Sequence, residues 1–408
     1  VQSNWKEEIA KYTKIPAEKV TKLEGSIVQK AQALRSVSGI AIVNYDAFVS
    51  DEFTKAAILW APEVLILDES HRCKDLKSKR TKNIVKLSLA MVRETYKYLM
   101  TGTPVTNSQM DIFSQFYILD GGETFGRSFF AFRAKYFYNA NQYSSNRKFP
   151  NWIPMKNIDA VLNEKIKSLS SVAKKEDCLD LPPLVRQEVE VTLSPKQAKI
   201  YKEMKKDFIT FIGDKACSAP LALTKLIRMQ QILSGFLKME DGTIERFDSG
   251  RTSVLSELLE GLCGDKRNKV IVWAIFKEDY ATIRSVCDRS GIRSVELQGS
   301  LSPKQKDANL EAFKTDEGIQ CLIASPAAGG IGINIVQAAY SIWFSRSFSY
   351  EQDVQATARN YRGGSNVHTS VTRYDLVSRG TLDEVLLDAI KAKKTISENI
   401  LGIDLNKL

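Results

Sequence analysis

Hydrophobic and polar positions along this 408-residue chain fall into two alternating series. In the first, the pattern predicts a helix near Asn4–Tyr12, a strand at IAIVNY (40–45), a helix near Thr54–Ala57, a buried strand at VLILDE (64–69) and a further strand in YKYLMTGTP (96–104). Strands alternating with helices argue for a parallel sheet covered on both faces. From Val105 to about Asp180 no strand pattern appears, and aromatic-rich stretches such as FGRSFFAFRAKYFY predict an insertion that is mostly helical. The Pro182-Pro183 pair then marks an interdomain joint. In the second series Ser194-Pro195 opens a helix with a cap and a first-turn proline, and Tyr201, Met204, Phe208 and Phe211 form its apolar stripe. After a polar loop near Glu240–Arg251 come strands at KVIVWAIF (269–276), RSVEL (293–297), QCLIAS (320–325), YSIWFS (340–345) and SVTRYDLV (370–377). The T-x-x-E run Thr381–Glu384 predicts a capping box for the last long helix. The expected fold class is α/β, two tandem lobes with parallel sheets and helical insertions. The first lobe is set at 1–183, with its insertion at about 105–180. The second is set at 184–408, with a helical protrusion at about 194–250 and a C-terminal helix at about 381–401.

The chemistry concentrates at the strand VLILDESH, which delivers Asp68 and Glu69 at its carboxyl end, where open α/β sheets bind ligands. A strand-end Asp suits Mg²⁺ in a Mg-nucleotide site, and a neighbouring acid can orient and deprotonate an attacking water. Thr101-Gly102-Thr103-Pro104 ends the next strand in a tight turn whose two hydroxyls can bond across to the Asp68–His71 turn. Gly329, Gly330 and Gly332 follow the strand ending near Ser325, so backbone there can approach a phosphate closely while Asn334 orients the loop. Arg359 and Arg362 are spaced i,i+3 on a predicted helix, hence on one face, with Gln355 ahead of them. Two guanidiniums so placed suit the stabilisation of a transferring phosphoryl group. Basic residues cluster at Lys77, Lys79, Arg80 and Lys82, and again along Lys196–Lys206.

Composition narrows the class only partly. The net charge of +10 and pI near 9.1 are compatible with a polyanionic partner. Six scattered cysteines, without a C-x-x-C pair, fit reduced thiols inside a cell, and no apolar run reaches the length of a membrane span.

Taken in order, these segments resemble the Swi/Snf-type ATPases of helicase superfamily two, over nearly the whole chain. NWKEE (4–8) is similar to motif Ia, IAIVNYD to the motif Ib region, LILDESH to motif II and MTGTPVTN (100–107) to motif III. KVIVWAIF, AGGIGIN (328–334) and QATARNYR (355–362) are similar to motifs IV, V and VI. The resemblance implies tandem RecA-like lobes, ATP and Mg²⁺ bound between them, and double-stranded DNA as partner, with other proteins of a remodelling, replication or repair complex. It implies catalytic roles for Asp68, Glu69, Arg359 and Arg362, with Asp68 on the metal. Gly330, Gly332 and Gln355 are implied at the nucleotide, and His71, Thr101, Gly102 and Thr103 in coupling. Asn107, Ser325, Asn334, Lys77 and Lys79 are implied on nucleic acid. An RNA or DNA unwinding helicase and a non-catalytic DNA clamp remain alternatives. The chain departs from the pattern at Arg362-Gly363-Gly364-Ser365, where the family continues R-x-G-Q, and it contains no G-x-x-x-x-G-K-[ST] loop. The family places that loop ahead of NWKEE, so the chain is expected to start just after it and its first sheet to show an uncovered edge or gap.

Overall fold

The computed structural model describes residues 2–91, 95–143, 150–173, 175–213, 219–327 and 333–400. The chain divides into two compact units, Val1–Val172 with Ala392–Leu408, and Ala173–Lys391. The break therefore falls ahead of the Pro182-Pro183 pair, and the end of the C-terminal helix Leu382–Ile400 groups with the first unit.

In the first unit, β1 (Val20–Lys22) pairs in parallel with β2 (Ile40–Ile42), and β3 (Val64–Asp68) in parallel with β4 (Tyr96–Met100). The helices Ile27–Leu34, Asp51–Trp60 and Lys79–Ala90 pack their apolar faces around Leu23, Phe48, Phe53, Leu67 and Ile84. The second strand stops at Ile42 rather than running on to Tyr45. Residues Tyr45–Val49 instead form a 3₁₀ turn that tucks Ala47 and Phe48 into this core. The expectation that β3 is buried holds for one face only. Leu65, Leu67 and Leu99 turn inward, while Val64, Ile66, Tyr96, Tyr98 and Met100 on the opposite face are 39–61% exposed. Register explains the pattern: Val64 lies opposite Tyr96, Ile66 opposite Tyr98 and Asp68 opposite Met100, so all of these share one side of the sheet.

The insertion contains the helices Ile112–Asp120, Phe129–Tyr136 and Ile158–Ile166. It also contains an antiparallel pair, β5 (Phe137–Asn139) with β6 (Trp152–Pro154), where no strand was expected. Three residues per strand are too few for alternation to register in the pattern. An aromatic cluster of Phe113, Phe125, Phe132, Tyr136 and Phe137 fills this region, and Ile396 of the C-terminal helix packs against it.

The second unit is built on six parallel strands. They are β7 (Leu184–Glu190), β10 (Val270–Trp273), β11 (Arg293–Leu297), β12 (Ile319–Ala324), β13 (Tyr340–Trp343) and β14 (Val371–Val377), in the order β11-β12-β10-β13-β14-β7. Central β10 is buried on both faces, which is why its sequence is continuously apolar. The edge strand β7 follows the proline pair directly, with Leu184 opposite Val371. Within the expected polar loop and protrusion lies a small antiparallel hairpin, β8 (Phe236–Lys238) with β9 (Ile244–Arg246). On the helix Pro195–Gly213, Tyr201 and Met204 pack with Ile232, Leu233 and Leu386, while the side chains of Phe208 and Phe211 lie outside the described residues. At the last helix Thr381 Oγ1 accepts from Asp383 N–H at 3.2 Å, and Glu384 accepts from Gly380 N–H at 2.8 Å, one residue earlier than a capping box requires.

Asp279, fully buried in the first turn of Lys277–Arg289, accepts from Ser345 Oγ at 2.6 Å. Burial pushes its carboxyl up to about 6, against the opposing hydrogen bond from Ser345 and the charge of Arg251. A folded-state value above the unfolded one means that stability is lost as pH rises from the unfolded value through the folded one. Asp279→Asn is therefore expected to raise Tm by several degrees at about pH 7.5 and to change it little near about pH 4, as thermal melts at both pH values would show.

Candidate functional site

β3 stops at Asp68 because Glu69 enters the left-handed region, with φ 54° and ψ 53°. That conformation costs a non-glycine residue on the order of 1–2 kcal/mol, so surrounding contacts must hold it. The chain continues as the 3₁₀ turn Ser70–Cys73. Asp68 is gripped at both ends. Its Oδ2 accepts from Trp5 Nε1 at 3.0 Å, and its carbonyl accepts from the Tyr45 hydroxyl at 2.7 Å. Burial pushes the Tyr45 phenol well above its ordinary value, which keeps it a donor.

Two side-chain bridges fasten this turn to the one after β4. Buried His71 places Nδ1 2.9 Å from Thr101 Oγ1 and 3.3 Å from Glu69 Oε2. The Thr101 hydroxyl can donate to Nδ1 or accept from it, according to the imidazole tautomer. Ser70 Oγ donates to Gln115 Oε1 at 2.8 Å, and Gln115 Nε2 donates to the carbonyls of Pro104 at 2.7 Å and Asp111 at 3.0 Å. Thr103 is buried and its N–H donates to Thr101 Oγ1 at 3.0 Å. Gly102 has open space around it, so crowding does not dictate a glycine there. Asn107 is exposed, as are Lys77 and Lys79, and Lys79 pairs with Asp51 at 3.1 Å.

In the second unit Gln355 sits on the helix Tyr350–Thr357, with Nε2 3.5 Å from Glu351 Oε1. Arg359 and Arg362 do not share a helical face, because the helix ends at Thr357 and both lie in the turn beyond it. The chain leaves the helix to bond with residues 335–338. Ile335 N–H donates to Arg359 O at 2.9 Å, and Asn360 Nδ2 donates to Ala338 O at 3.1 Å. The two arginines nevertheless line one cavity of about 370 Å³, with Leu179, Ala358 and Gly363. Ser325 N–H donates to Leu297 O at 3.0 Å, and Asn334 is exposed. Gly330 and Gly332 lie outside the described residues. His368 donates through Nε2 to Val336 O at 2.7 Å and so ties the segment after the arginines to the same loop.

Beneath that segment lies a buried charge cluster. Arg373 Nη2 and Nη1 donate to Asp353 at 2.7 and 2.9 Å, its Nε donates to Asp375 at 2.9 Å, and its guanidinium sits 4.4 Å over the Trp343 ring. Arg346 adds a 2.6 Å pair with Asp375. Burial alone would raise Asp375, and the two guanidiniums more than offset it, holding the carboxyl below its ordinary value. Asp353 lies on the helix that leads to Arg359, so Arg373 anchors that helix to the sheet. The sequence reading missed this anchor, although Arg373 and Asp375 stand out as inward charges at alternate positions of an apolar strand. It also missed Trp5, Tyr45 and Gln115, whose spacing carries no signal of contact with the 68–71 turn.

Mg²⁺ in nucleotide sites takes one or two protein carboxylates and completes its shell with water and phosphate oxygens. A lone strand-end Asp68 fits that demand, and among the described residues no group of three or more His, Cys, Asp and Glu is gathered to hold a metal by itself.

Parallel sheets, a strand-end acid pair and a paired-arginine turn place the molecule among helicase-like α/β proteins. The chain belongs to the SNF2-related family: the SNF2-related domain matches residues 1–240 and the helicase conserved C-terminal domain matches residues 250–364. It is 24% identical to the DNA repair and recombination protein RDH54 of Saccharomyces cerevisiae (strain AWRI1631), over 98% of this chain and 45% of that protein. It is 25% identical to the putative protein p41 of Acyrthosiphon pisum secondary endosymbiont phage 1, over 98% of this chain and 85% of that protein. The chain thus spans less than half the length of RDH54. Among solved structures, the Sulfolobus solfataricus SWI2/SNF2 ATPase core in complex with dsDNA covers 100% of this chain and 83% of its own, at 22% identity and a TM-score of 0.44.

The strained Glu69 gives a direct stability test. Glu69→Gly is expected to raise Tm slightly, and Glu69→Val to lower stability by about 1–2 kcal/mol, because a β-branched residue tolerates the left-handed region poorly. Equal melting temperatures for the two variants would contradict a left-handed backbone at this position.

Proposed function

We propose that this chain is the motor region of an ATP-dependent translocase on double-stranded DNA. The observation that carries this reading is the fastening of the Asp68–His71 turn to the Thr101–Thr106 turn, which makes a strand-end acid pair and a hydroxyl-bearing turn move as one. In this reading Asp68 holds Mg²⁺ and Glu69 orients and deprotonates the attacking water. Arg359 and Arg362 stabilise charge on the transferring phosphoryl group, and Gln355 with Gly330 and Gly332 contributes to nucleotide binding. His71, Thr101, Gly102 and Thr103 relay the state of the nucleotide. Asn107, Ser325, Asn334, Lys77 and Lys79 lie along the nucleic acid. Nucleotide-driven closing and opening of the two lobes would step them along one strand's phosphates. SNF2-family membership and the DNA repair and recombination role in the name of RDH54 support duplex DNA as the track, within a repair, replication or remodelling complex.

A motor holds phosphates at every step rather than reading bases. Duplexes of unrelated sequence are therefore expected to bind equally, with log K falling linearly in log salt at about 0.9 per phosphate contact. A strong preference for one sequence at constant salt would count against translocation. The 408 residues include no phosphate-cradling lysine loop, and we expect them alone to turn over essentially no ATP. In a polypeptide joining this chain to such a loop, Glu69→Gln is expected to keep DNA binding and lose most DNA-stimulated turnover, because the amide preserves shape and removes the base. Turnover above half of the parent's would remove Glu69 from that role, and DNA binding with no turnover in the joined parent would favour the clamp reading.

A further inference from the structure

The two carboxylate oxygens of Asp68 are not equivalent. Oδ2 accepts from Trp5 Nε1 at 3.0 Å, whereas Oδ1 accepts no hydrogen bond among the described residues and is not sealed from solvent. Trp5 stands on the helix Gln2–Tyr12 and is half-buried, as is Asp68. The backbone beneath is held too: the Tyr45 hydroxyl donates to Asp68 O at 2.7 Å, and Asp68 closes β3 opposite Met100. With the backbone and one oxygen fixed, the side chain cannot present both oxygens to an ion without giving up the indole hydrogen bond.

The adjacent carboxylate is turned toward another partner. Glu69 Oε2 lies 3.3 Å from His71 Nδ1, and among the described residues no group of three or more His, Cys, Asp and Glu gathers to hold a metal. The number of oxygens that Asp68 offers therefore decides which ion suits it. Mg²⁺ demands a near-ideal octahedron, keeps several waters and is satisfied by single oxygens from one or two carboxylates. Ca²⁺ takes about six to eight oxygens at longer distances and can use both oxygens of one carboxylate. An Asp68 already engaged at Oδ2 offers one oxygen, which meets the first demand better than the second. A hydrogen bond to a ligating carboxylate also fixes its orientation.

We propose that Trp5 determines metal specificity at this site: its indole N–H holds Asp68 to one-oxygen coordination and so selects Mg²⁺ over Ca²⁺. The assignment rests on reading Asp68 as the Mg²⁺ residue of a nucleotide site and gives a task to Trp5, which that reading does not name. Trp5 acts through Asp68, as a positioning residue, and need touch neither metal nor nucleotide.

The test uses the polypeptide that joins this chain to a phosphate-cradling loop. Calorimetry gives the Kd of a non-hydrolysable ATP analogue in excess Mg²⁺, in excess Ca²⁺ and in EDTA, with the Tm of each variant. The parent is expected to bind the analogue more tightly with Mg²⁺ than with Ca²⁺. Trp5→Phe frees Oδ2 and is expected to cut that preference about ten-fold, as befits loss of a hydrogen-bond partner to a metal ligand, while affinity in EDTA stays unchanged. Tyr45→Phe releases the Asp68 carbonyl but leaves Oδ2 held, so it is expected to weaken both metal complexes alike and keep the ratio. A merely structural Trp5 would behave as Tyr45 does, and an unchanged ratio in Trp5→Phe, with metal dependence lost in Asp68→Asn, would overturn the role of Trp5 and leave Asp68 on the metal. Metal dependence that survives Asp68→Asn would overturn the reading of Asp68 itself, and a parent without preference for Mg²⁺ would overturn the selection. One measurement needs no folded Trp5 variant: the indole N–H signal of Trp5 in the parent, identified as the one that moves in Asp68→Asn, is expected to stay hydrogen-bonded and slow to exchange when the Mg²⁺ complex of the analogue binds. Its release to solvent on Mg²⁺ loading would overturn the proposal.

Discussion

The 2.9 Å hydrogen bond between His71 Nδ1 and Thr101 Oγ1, with Glu69 Oε2 3.3 Å from the same nitrogen, is the contact on which the first unit's candidate site depends. Glu69 sits in a backbone region that its side chain disfavours, and such strain persists only when neighbours over-determine it. Those neighbours are identifiable. His71 Nδ1 lies 3.3 Å from the Glu69 carboxylate, Tyr45 holds the Asp68 carbonyl, Trp5 holds the Asp68 carboxylate, and Ser70 is bridged through Gln115 to Pro104. Any shift in the acid pair is therefore felt at the turn after β4.

The second unit solves a similar positioning problem with buried charge instead of strain. Its paired arginines lie past a helix end, in a turn held by bonds such as Arg359 N–H to Ala356 O at 3.1 Å, and the chain is pinned by bonds to residues 335–338 and by the grip of Arg373 on Asp353. Buried ion pairs contribute little net stability once desolvation is counted, but breaking one strands an uncompensated charge. Such a cluster therefore fixes geometry more than it adds stability, which suits a segment that presents two guanidiniums to one cavity.

Much of this was legible in the chain. Long apolar runs at 269–276, 320–325 and 340–345 were readable as strands because a parallel sheet buried on both faces demands continuous apolarity, and those strands lie at the centre of the second sheet. The acid pair, the Thr-Gly-Thr-Pro turn and His71 were named from local order, and the structure brings His71 to Thr101. What escaped was set by long-range partners or by brevity. Trp5 reaches Asp68 across 63 residues, Tyr45 was read as strand and instead caps the site from a 3₁₀ turn, and β5 and β6 are three residues each. Arg359 and Arg362 kept helical spacing past the point where tertiary bonds pull the chain off the helix. The exposed face of β3–β4 was not foreseen, because the burial expected of β3 came from treating an apolar run as covered on both sides.

The central claim is that the turn after β3 and the turn after β4 are one mechanical element. A double-mutant cycle on His71→Ala and Thr101→Val, read by thermal or denaturant unfolding, measures that coupling directly. The account predicts an interaction free energy of about 1 kcal/mol, with Thr101→Val costing little once His71 is gone, as expected of a part-buried hydrogen bond. Strict additivity of the two single effects would contradict it.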